Sequence, residues 1–387
     1  RDTLVVTHPD VGAQLIPFLK TWALIPCSIL FIRALLALRA RCTFRSTYTW
    51  ITLAFLAFFT LYVLVLGKLP PTAELPLPDI LRGPGLMIQY WTISLFYVVS
   101  DLWTIIMLSM LFWTYVGELL SLDQAKRFFP YYSLDPCGIL IGPVVTVALY
   151  LANGSWEGQL ELLLGLVCAL GLLQIQLFRK LCQHSDQEPA LSKKKKGMAW
   201  TDMIDMARNP FLGSLALTVF LFEFTDNLFD VLWKGTLGSY VESSQQFSTY
   251  LANTTSAAGI LCTGVALVFS KKILERYSWF QAAVTIPLLL ALLTAAFSAA
   301  YFSPKLAAQV GALWGQSALG VAVFIGAVHS CLMAVAKQTL FDNTRDLAFQ
   351  VCRTDERAAA RGFADAFATR LGKSTSSLAH QGFMMAG

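Results

Sequence analysis

The chain has 387 residues, of which 56% are hydrophobic and 14% are charged, with a mean hydropathy of +0.58 and a formal net charge of +5. An ordinary soluble domain carries roughly 25% charged residues, and here long apolar blocks recur along the whole sequence. The composition therefore excludes a disordered chain, a fibrous protein and a typical soluble enzyme, and it places most of the residues in a lipid bilayer.

Ten segments are apolar over the about 20 residues that a membrane-spanning helix requires. In chain order they are Ala13–Leu38, Tyr48–Leu66, Gln89–Gly117, Tyr131–Ala152, Leu160–Phe178, Phe211–Leu232, Gln246–Ser270, Trp279–Phe302, Trp314–Ala336 and Gly362–Gly387. The last of them is the least apolar and is also compatible with a re-entrant or cavity-lining segment. If successive loops alternate between the two sides, one side carries 20 Lys and Arg residues and the other carries 4. The positive-inside rule assigns the basic side to the cytoplasm.

The longest polar stretch separates five predicted spans from five and contains the run Lys193–Lys196. It predicts an N-terminal transmembrane half over residues 1–178, a basic cytoplasmic linker over residues 179–210 and a C-terminal transmembrane half over residues 211–387. The lysine run is typical of a solvated loop, and contact with lipid headgroups is the alternative. Two comparable halves are typical of secondary transporters. One further helix at each end would bring the intact protein to twelve.

Several ionisable residues lie deep within the predicted spans, where a charge is costly and usually lines a cavity or a substrate path. They are Lys20, Asp101, Glu223, Asp226, Asp230, Arg370 and Lys373. The spacing of the three carboxylates in the sixth span puts them on one helix face, and Arg370 and Lys373 also share a face. Each residue by itself is compatible with an ion pair that fixes the packing of two helices.

Taken together, these charges predict a polar central cavity for an anionic organic substrate. Lys and Arg bind phosphates through charge-assisted hydrogen bonds, and carboxylates in the same cavity would pair with those cations when the site is empty, or carry protons. The eight cysteines form no CxxC pair and the four histidines have no ligand spacing, so we predict no metal and no cofactor. The GKST sequence near the end is not a P-loop, because Phe367 occupies the position of its first glycine.

Several blocks of sequence, which occur in order and at family-like spacing, resemble the bacterial and plastid ATP/ADP translocases, a family of nucleotide transporters that is similar to the major facilitator transporters. The blocks are RDTLVVTHPDVGAQLIPFLKTW, SLFYVVSDLWTIIMLSMLFW, LDQAKRFFPYYSL, NLFDVLWKGTL, KQTLFDNTRDLAF and RLGKSTSS. The resemblance covers nearly the whole chain. It implies an all-α, polytopic membrane protein built as a two-half helical bundle of twelve helices.

The resemblance also implies roles for four residues of this chain. Lys20 and Lys373 stand at the positions of two functional lysines of the family and are implied to hold phosphates. Asp101 and Asp230 stand where the family has glutamates and are implied to act in substrate selection or coupling. Both Asp side chains are one methylene shorter, which leaves import of several nucleotides open beside strict ATP/ADP exchange.

We therefore predict a transporter that exchanges ATP for ADP by alternating access, with Lys20 and Lys373 as the main phosphate contacts. Arg370 and Lys234 are predicted as further phosphate contacts, and Asn227 as a contact to the base or ribose. Glu223 and Asp226 join the acidic residues predicted to act in coupling or selectivity.

Two alternatives stay open. One is proton-coupled net import of nucleoside triphosphates, with Asp101, Asp230 or Glu223 as the proton carrier. The other is a polytopic membrane enzyme acting on phosphate-bearing substrates, although the chain lacks the His and Asp clusters that such chemistry needs. We expect a monomer that contacts lipid and nucleotides but no nucleic acid, in the bacterial cytoplasmic membrane rather than the plastid inner envelope.

Overall fold

The computed structural model describes residues 1–72, 82–104, 106–107, 111, 136–184, 208–268, 279–342, 345, 348 and 368–386. All regular elements in these ranges are helical, which confirms the predicted all-α class. The helices of the first part of the chain are α1 (Asp2–Val6), α2 (Leu15–Phe18), α3 (Leu24–Arg41), α4 (Phe44–Leu64), α5 (Arg82–Gln89), α6 (Trp91–Trp103), α7 (Pro136–Leu151) and α8 (Trp156–His184). Those of the second part are α9 (Pro210–Tyr240), α10 (Ser244–Val268), α11 (Trp279–Phe302), α12 (Pro304–Trp314), α13 (Ala318–Ala336) and α14 (Thr369–Ala386).

The helices form two compact units. Unit 1 comprises Arg1–Arg127, Val145–Lys194 and Gln381–Gly387, and unit 2 comprises Phe128–Val144 and Lys195–His380. The predicted division into halves on either side of residues 179–210 falls on a segment that lies mostly outside the described residues, and it stays a prediction.

Four helical segments in the described part of the chain are long and apolar enough to cross a bilayer. They are Leu15–Leu35, Phe44–Lys68, Trp156–Cys182 and Ala318–Thr339, and the pair Pro287–Phe302 and Ala307–Leu313, bent by 98°, makes a fifth if it is one span. These segments correspond to the first, second, fifth, ninth and eighth predicted spans, and they confirm a multi-pass helical membrane protein. The sixth predicted span lies in α9, while the third, fourth, seventh and tenth extend beyond the described residues.

Aromatic side chains fix the helices of unit 1 against one another. Tyr48 of α4 stacks on Phe178 of α8 with ring centroids 3.9 Å apart, and Gln174 Nε2 donates a 2.6 Å hydrogen bond to the Tyr48 hydroxyl. Tyr62 of α4 packs on Phe96 of α6 with ring centroids 4.3 Å apart. Such ring pairs bury large apolar surfaces and leave the tyrosine hydroxyl a polar partner. As a result, α4 is anchored to both α6 and α8.

Helix α13 lies at the centre of unit 2, where it packs against α9, α10, α11 and α12. His329 of α13 is fully buried and stacks on Phe229 of α9, with ring centroids 3.6 Å apart. The His329 Nε2 atom lies 3.1 Å from the Thr294 hydroxyl of α11. These contacts set the position of α9, which carries the charged residues described below, relative to the C-terminal end of α13.

A serine side chain is inserted into a proline break where α7 crosses α10. Pro143 has no N–H, so the carbonyl of Ile139 has no partner within its own helix. The hydroxyl of Ser256 lies 2.9 Å from that carbonyl oxygen and accepts a 2.7 Å hydrogen bond from the N–H of Gly142. A Cβ atom on Gly259 would lie 2.7 Å from the Ile139 nitrogen, so glycine permits this close approach of the two backbones.

Candidate functional site

Helix α9 begins abruptly and then runs without interruption through its charged residues. The Asn209 side-chain oxygen accepts hydrogen bonds of 3.0 Å and 3.4 Å from the first N–H groups of the helix, and Pro210 occupies the first turn. An Asn cap followed by proline is a favourable start for a helix. Because the helix is regular, the three- and four-residue spacing places Glu223, Asp226 and Asp230 on one face of it.

Glu223 is the centre of a charged cluster in unit 2. Its side chain is 5% exposed, and its Oε1 atom accepts a 2.8 Å hydrogen bond from Lys337 Nζ. Its Oε2 atom lies 3.5 Å from Lys373 Nζ, an ion-pair distance that is long for a hydrogen bond. A buried carboxylate is costly unless cations compensate it. The two lysines, from separate helical segments, supply that compensation.

Close packing of α14 on α9 brings Lys373 to Glu223. A Cβ atom on Gly372 would lie 2.6 Å from the Phe220 carbonyl oxygen and 3.1 Å from Glu223 Cβ. Glycine therefore lets the backbone of α14 touch α9 one residue before Lys373. The small residues that the sequence shows around this lysine thus serve helix packing.

Asn227 holds the same two helices together from α9. Its Nδ2 atom lies 3.2 Å from the Lys373 carbonyl oxygen, 3.3 Å from Ser376 Oγ and 3.2 Å from Ser377 Oγ. The side chain is 5% exposed, and both serines are fully or almost fully buried. This geometry gives Asn227 a role in positioning Lys373, and its contact with a base or ribose stays a prediction.

Lys337 is a residue of this cluster that the sequence analysis missed. The predicted ninth span ended at Ala336 and left Lys337 in a cytoplasmic loop, but the helix continues as a π-helical turn over Lys337–Phe341. The ring of Phe341 stacks on Phe222 with centroids 4.0 Å apart, and Lys337 Nζ lies 5.6 Å from the Phe222 ring centroid. These contacts aim the ammonium group at Glu223. The one signal in the sequence for a role of Lys337 was its place at the start of the KQTLFDNTRDLAF block, which carries part of the family resemblance.

The other two carboxylates of α9 differ in how they are compensated. Asp230 Oδ2 accepts a 2.7 Å hydrogen bond from Lys234 Nζ, one turn along the same helix. Asp226 interacts electrostatically with Lys337 and Lys373 and with both of its acidic neighbours, as expected for one helix face. Lys234, predicted as a phosphate contact, is therefore already paired with a carboxylate.

Arg370 lies one turn before Lys373 on α14 and is partly buried. Its carbonyl oxygen accepts a 2.7 Å hydrogen bond from the Ser374 hydroxyl. This placement puts the guanidinium on the same helix as Lys373, in agreement with the shared face that the sequence predicts.

In unit 1, Asp101 of α6 forms an ion pair with Arg1, the residue just before α1. The Arg1 guanidinium lies 5.0 Å from the ring centroid of Tyr97 and makes a 3.2 Å contact with Asp2. No pattern in the sequence predicts the pairing of Arg1 with Asp101. Both of the acidic positions implied by the family resemblance thus have a cation of their own unit as partner.

Lys20 lies in a π-helical turn, Leu19–Ala23, between α2 and α3, and its side chain is partly buried. Lys337 also lies in such a turn. A π-turn is rare, often marks a functional position and rotates the side chain relative to the surrounding α-helix. Lys20 belongs to unit 1 and Lys373 to unit 2. Their joint action on one substrate stays a prediction.

Comparison with known proteins extends over the whole chain. The family model described as "TLC ATP/ADP transporter" matches residues 1–386. The chain is 26% identical to "ADP,ATP carrier protein 2" of Chlamydia pneumoniae over 100% of this chain and 78% of that protein. It is 28% identical to "ADP,ATP carrier protein 2" of Chlamydia trachomatis serovar D, with the same coverage of both proteins. It is 29% identical to the "Plastidic ATP/ADP-transporter" of Solanum tuberosum, over 98% of this chain and 63% of that protein.

No solved structure matches the chain at a significant level. The match to the family model nevertheless confirms the resemblance that the sequence blocks carry, and it covers both units. The chain belongs to the TLC ATP/ADP transporter family.

Proposed function

We propose that this protein exchanges ATP for ADP across a membrane by alternating access, with the substrate phosphates held by lysines of the membrane-embedded helices. The observation that carries the proposal is the incomplete pairing of Lys373 in a chain of this family. Its side chain is 49% exposed and its ammonium lies 3.5 Å from the Glu223 carboxylate. A polyphosphate offers such a cation more charge and more acceptor oxygens than one carboxylate.

The charges of the cluster supply a reason for obligatory exchange. Without substrate, Glu223 ties Lys337 and Lys373 to α9, and this electrostatic link holds three helical segments together. A phosphate that takes over the lysines removes the link. The loaded protein then rearranges more readily than the empty one, which is the property that an exchanger requires.

The test is uptake of labelled ATP by purified protein in proteoliposomes, comparing ADP-loaded with empty vesicles. We expect uptake into loaded vesicles, little uptake into empty ones, and no dependence on a pH gradient. Excess unlabelled ADP, GTP, CTP, UTP and NAD in a competition panel would define base specificity. Absence of ATP uptake together with no competition by any of these nucleotides would refute the proposal.

Proton-coupled net import is the second candidate, and Asp226 is the observation in its favour. Glu223 and Asp230 each have a lysine within ion-pair distance, whereas the described residues provide Asp226 with no direct ion pair or hydrogen bond. A carboxylate in that environment is suited to carry a proton. Uptake into empty vesicles that is driven by an inwardly directed proton gradient, and is lost in Asp226→Asn, would favour import over exchange.

The protein is an integral membrane transporter of this family, and its relatives come from Chlamydia and from plastids. Among these membranes we propose the bacterial cytoplasmic membrane, with the plastid inner envelope as the alternative. The transported partners are ATP and ADP, and we propose that one chain suffices for transport.

A further inference from the structure

We infer that Lys337 is a further phosphate-binding residue and that Glu223 is the counter-ion which it shares with Lys373. Bound phosphate would replace Glu223 as the partner of both lysines. The inference rests on the proposed transport of nucleotides and adds a residue and a competing group to the phosphate site of unit 2.

The first observation is that one carboxylate holds two ammonium groups unequally. Glu223 Oε1 is bound by Lys337 at 2.8 Å, whereas the buried Oε2 lies 3.5 Å from Lys373 and accepts no closer hydrogen bond from the residues that the structure describes. A buried carboxylate oxygen without a hydrogen bond is energetically unfavourable. The cluster is therefore incompletely satisfied on the side that faces Lys373.

The second observation is the position of Lys337 itself. Its side chain is 31% exposed although its partner Glu223 is 5% exposed, so the ammonium lies at the edge of the buried cluster. Its location on a π-turn places it 5.6 Å from the Phe222 ring, which supports the cation without being a competing anion. The flexible stem of a lysine lets its ammonium turn from a carboxylate towards a phosphate oxygen.

The third observation is the charge balance. Two carboxylates, Glu223 and Asp226, interact with two ammonium groups, Lys337 and Lys373, so the charges of these four groups balance. Burying two cations and two carboxylates together has a cost of desolvation that their mutual attraction only partly offsets. That cost is recovered if both cations meet an anion of higher charge during transport.

Two single variants and their combination separate phosphate binding from simple compensation of Glu223. The variants are Lys337→Met, Glu223→Gln and the double variant, with Lys305→Met, an exposed lysine of α12, as the matched control. The readout is the apparent KM for ATP in ADP-loaded proteoliposomes, normalised to the amount of inserted protein. The double variant removes the carboxylate of Glu223 together with the ammonium of Lys337, so that no buried carboxylate loses its partner at this position. It therefore stays informative even if Lys337→Met alone misfolds.

We expect Lys337→Met to raise the KM for ATP by roughly 10-fold to 100-fold, as for loss of a hydrogen bond to a charged group. The double variant should keep a KM at least about tenfold above that of the wild type, while Glu223→Gln should lower the KM, because it removes the charge that competes with phosphate. The Lys305→Met control should have the KM of the wild type.

Three results would overturn the inference. A double variant with the KM of the wild type would make Lys337 a counter-ion only, and an unchanged KM in Lys337→Met would exclude it from the phosphate site. A raised or unchanged KM in Glu223→Gln would show that Glu223 does not compete with phosphate. A wild-type protein that takes up no ATP would instead refute the proposed function, and the inference with it.

Discussion

Each of the two units pairs a carboxylate with at least one cation, but the two units differ in which of the partners comes first along the chain. In unit 1, the cation Arg1 comes first in the chain and pairs with the carboxylate of Asp101 on α6. In unit 2, the carboxylate of Glu223 on α9 comes first, and its cations follow on the π-turn after α13 and on α14. In each unit a buried or partly buried carboxylate is thus compensated by cations from other segments of the same unit.

The two solutions also differ in how tightly the partners are held. The Arg1 and Asp101 side chains are 30% and 18% exposed, and Arg1 has further contacts with Tyr97 and Asp2. Lys373 is 49% exposed and shares its only ion-pair partner in the described residues with Lys337. The pair in unit 1 is thus less exposed than the Lys373 end of the cluster in unit 2, and we propose that the former stabilises its unit while the latter meets substrate.

The largest expected effect comes from removing the loosely held cation of unit 2. Lys373→Met should reduce exchange of ATP for ADP to background, because Glu223 would retain Lys337 and leave no second lysine for phosphate. Insertion into the membrane should be normal, as the residue is half exposed. Lys305→Met on α12 should transport like the wild type. Retained uptake in Lys373→Met would make this lysine a structural residue.

The second prediction concerns the contact that positions this cation. Gly372→Ala places a Cβ atom 2.6 Å from the Phe220 carbonyl oxygen, so α14 has to move away from α9. We expect the free energy of unfolding to fall by about 1–3 kcal/mol, with a loss of transport. On the same helix, a Cβ atom on Gly382 meets nothing within 4 Å, so Gly382→Ala should be neutral or slightly stabilising. Thermal unfolding in detergent would measure both, and equal shifts would contradict the prediction.

The third prediction tests the stabilising role of the pair in unit 1. Asp101→Asn leaves Arg1 without its partly buried partner and should lower the free energy of unfolding by about 1–2 kcal/mol, between the values for exposed and buried pairs. The matched control is Glu161→Gln, which breaks a 3.9 Å pair with Lys68 whose side chains are 51% and 66% exposed. That variant should unfold like the wild type. A double variant Arg1→Gln/Asp101→Asn that is more stable than Asp101→Asn would confirm the pairing.

The smallest effect is a pH dependence at the start of unit 1. His8 packs edge-on against Tyr90 at 4.7 Å, and its Nδ1 atom accepts a 3.4 Å hydrogen bond from the Asp10 N–H. Burial lowers the pKa of His8 below its ordinary value of 6.5, and the nearby Asp10 offsets part of this shift. The folded state therefore binds the proton less readily than the unfolded state, and the stability from neutral His8 is present above about pH 6.5 and lost as the pH falls.

Unfolding midpoints between pH 7.5 and pH 5 would check this prediction. The wild type should lose slightly more stability on acidification than His8→Gln, which cannot be protonated at this position. Parallel pH profiles of the two proteins would show that His8 does not contribute.

The sequence predicted the helices and part of the cluster for clear physical reasons. Apolar blocks of bilayer length must be helical because each backbone group needs a partner within its own segment, and residue spacing alone put Glu223, Asp226 and Asp230 on one face. Lys337 was missed because a lysine at the end of an apolar stretch has the pattern of a loop residue, and the π-turn that keeps it in the helix has no clear sequence signal. The pairing of Arg1 with Asp101 joins residues 100 positions apart, and such contacts depend on tertiary packing.

The insertion of Ser256 into the break at Pro143 has a consequence for the transport cycle. Separating α7 from α10 would remove Ser256 from the Ile139 carbonyl, whose usual helical donor is missing at Pro143, in a medium that contains no water to replace it. Each unpaired group costs several kcal/mol in hydrocarbon, which exceeds what a shift between conformations can readily supply. We therefore expect α7 and α10 to stay in contact at this point in every conformation of the transporter, while the neighbouring helices tilt about it.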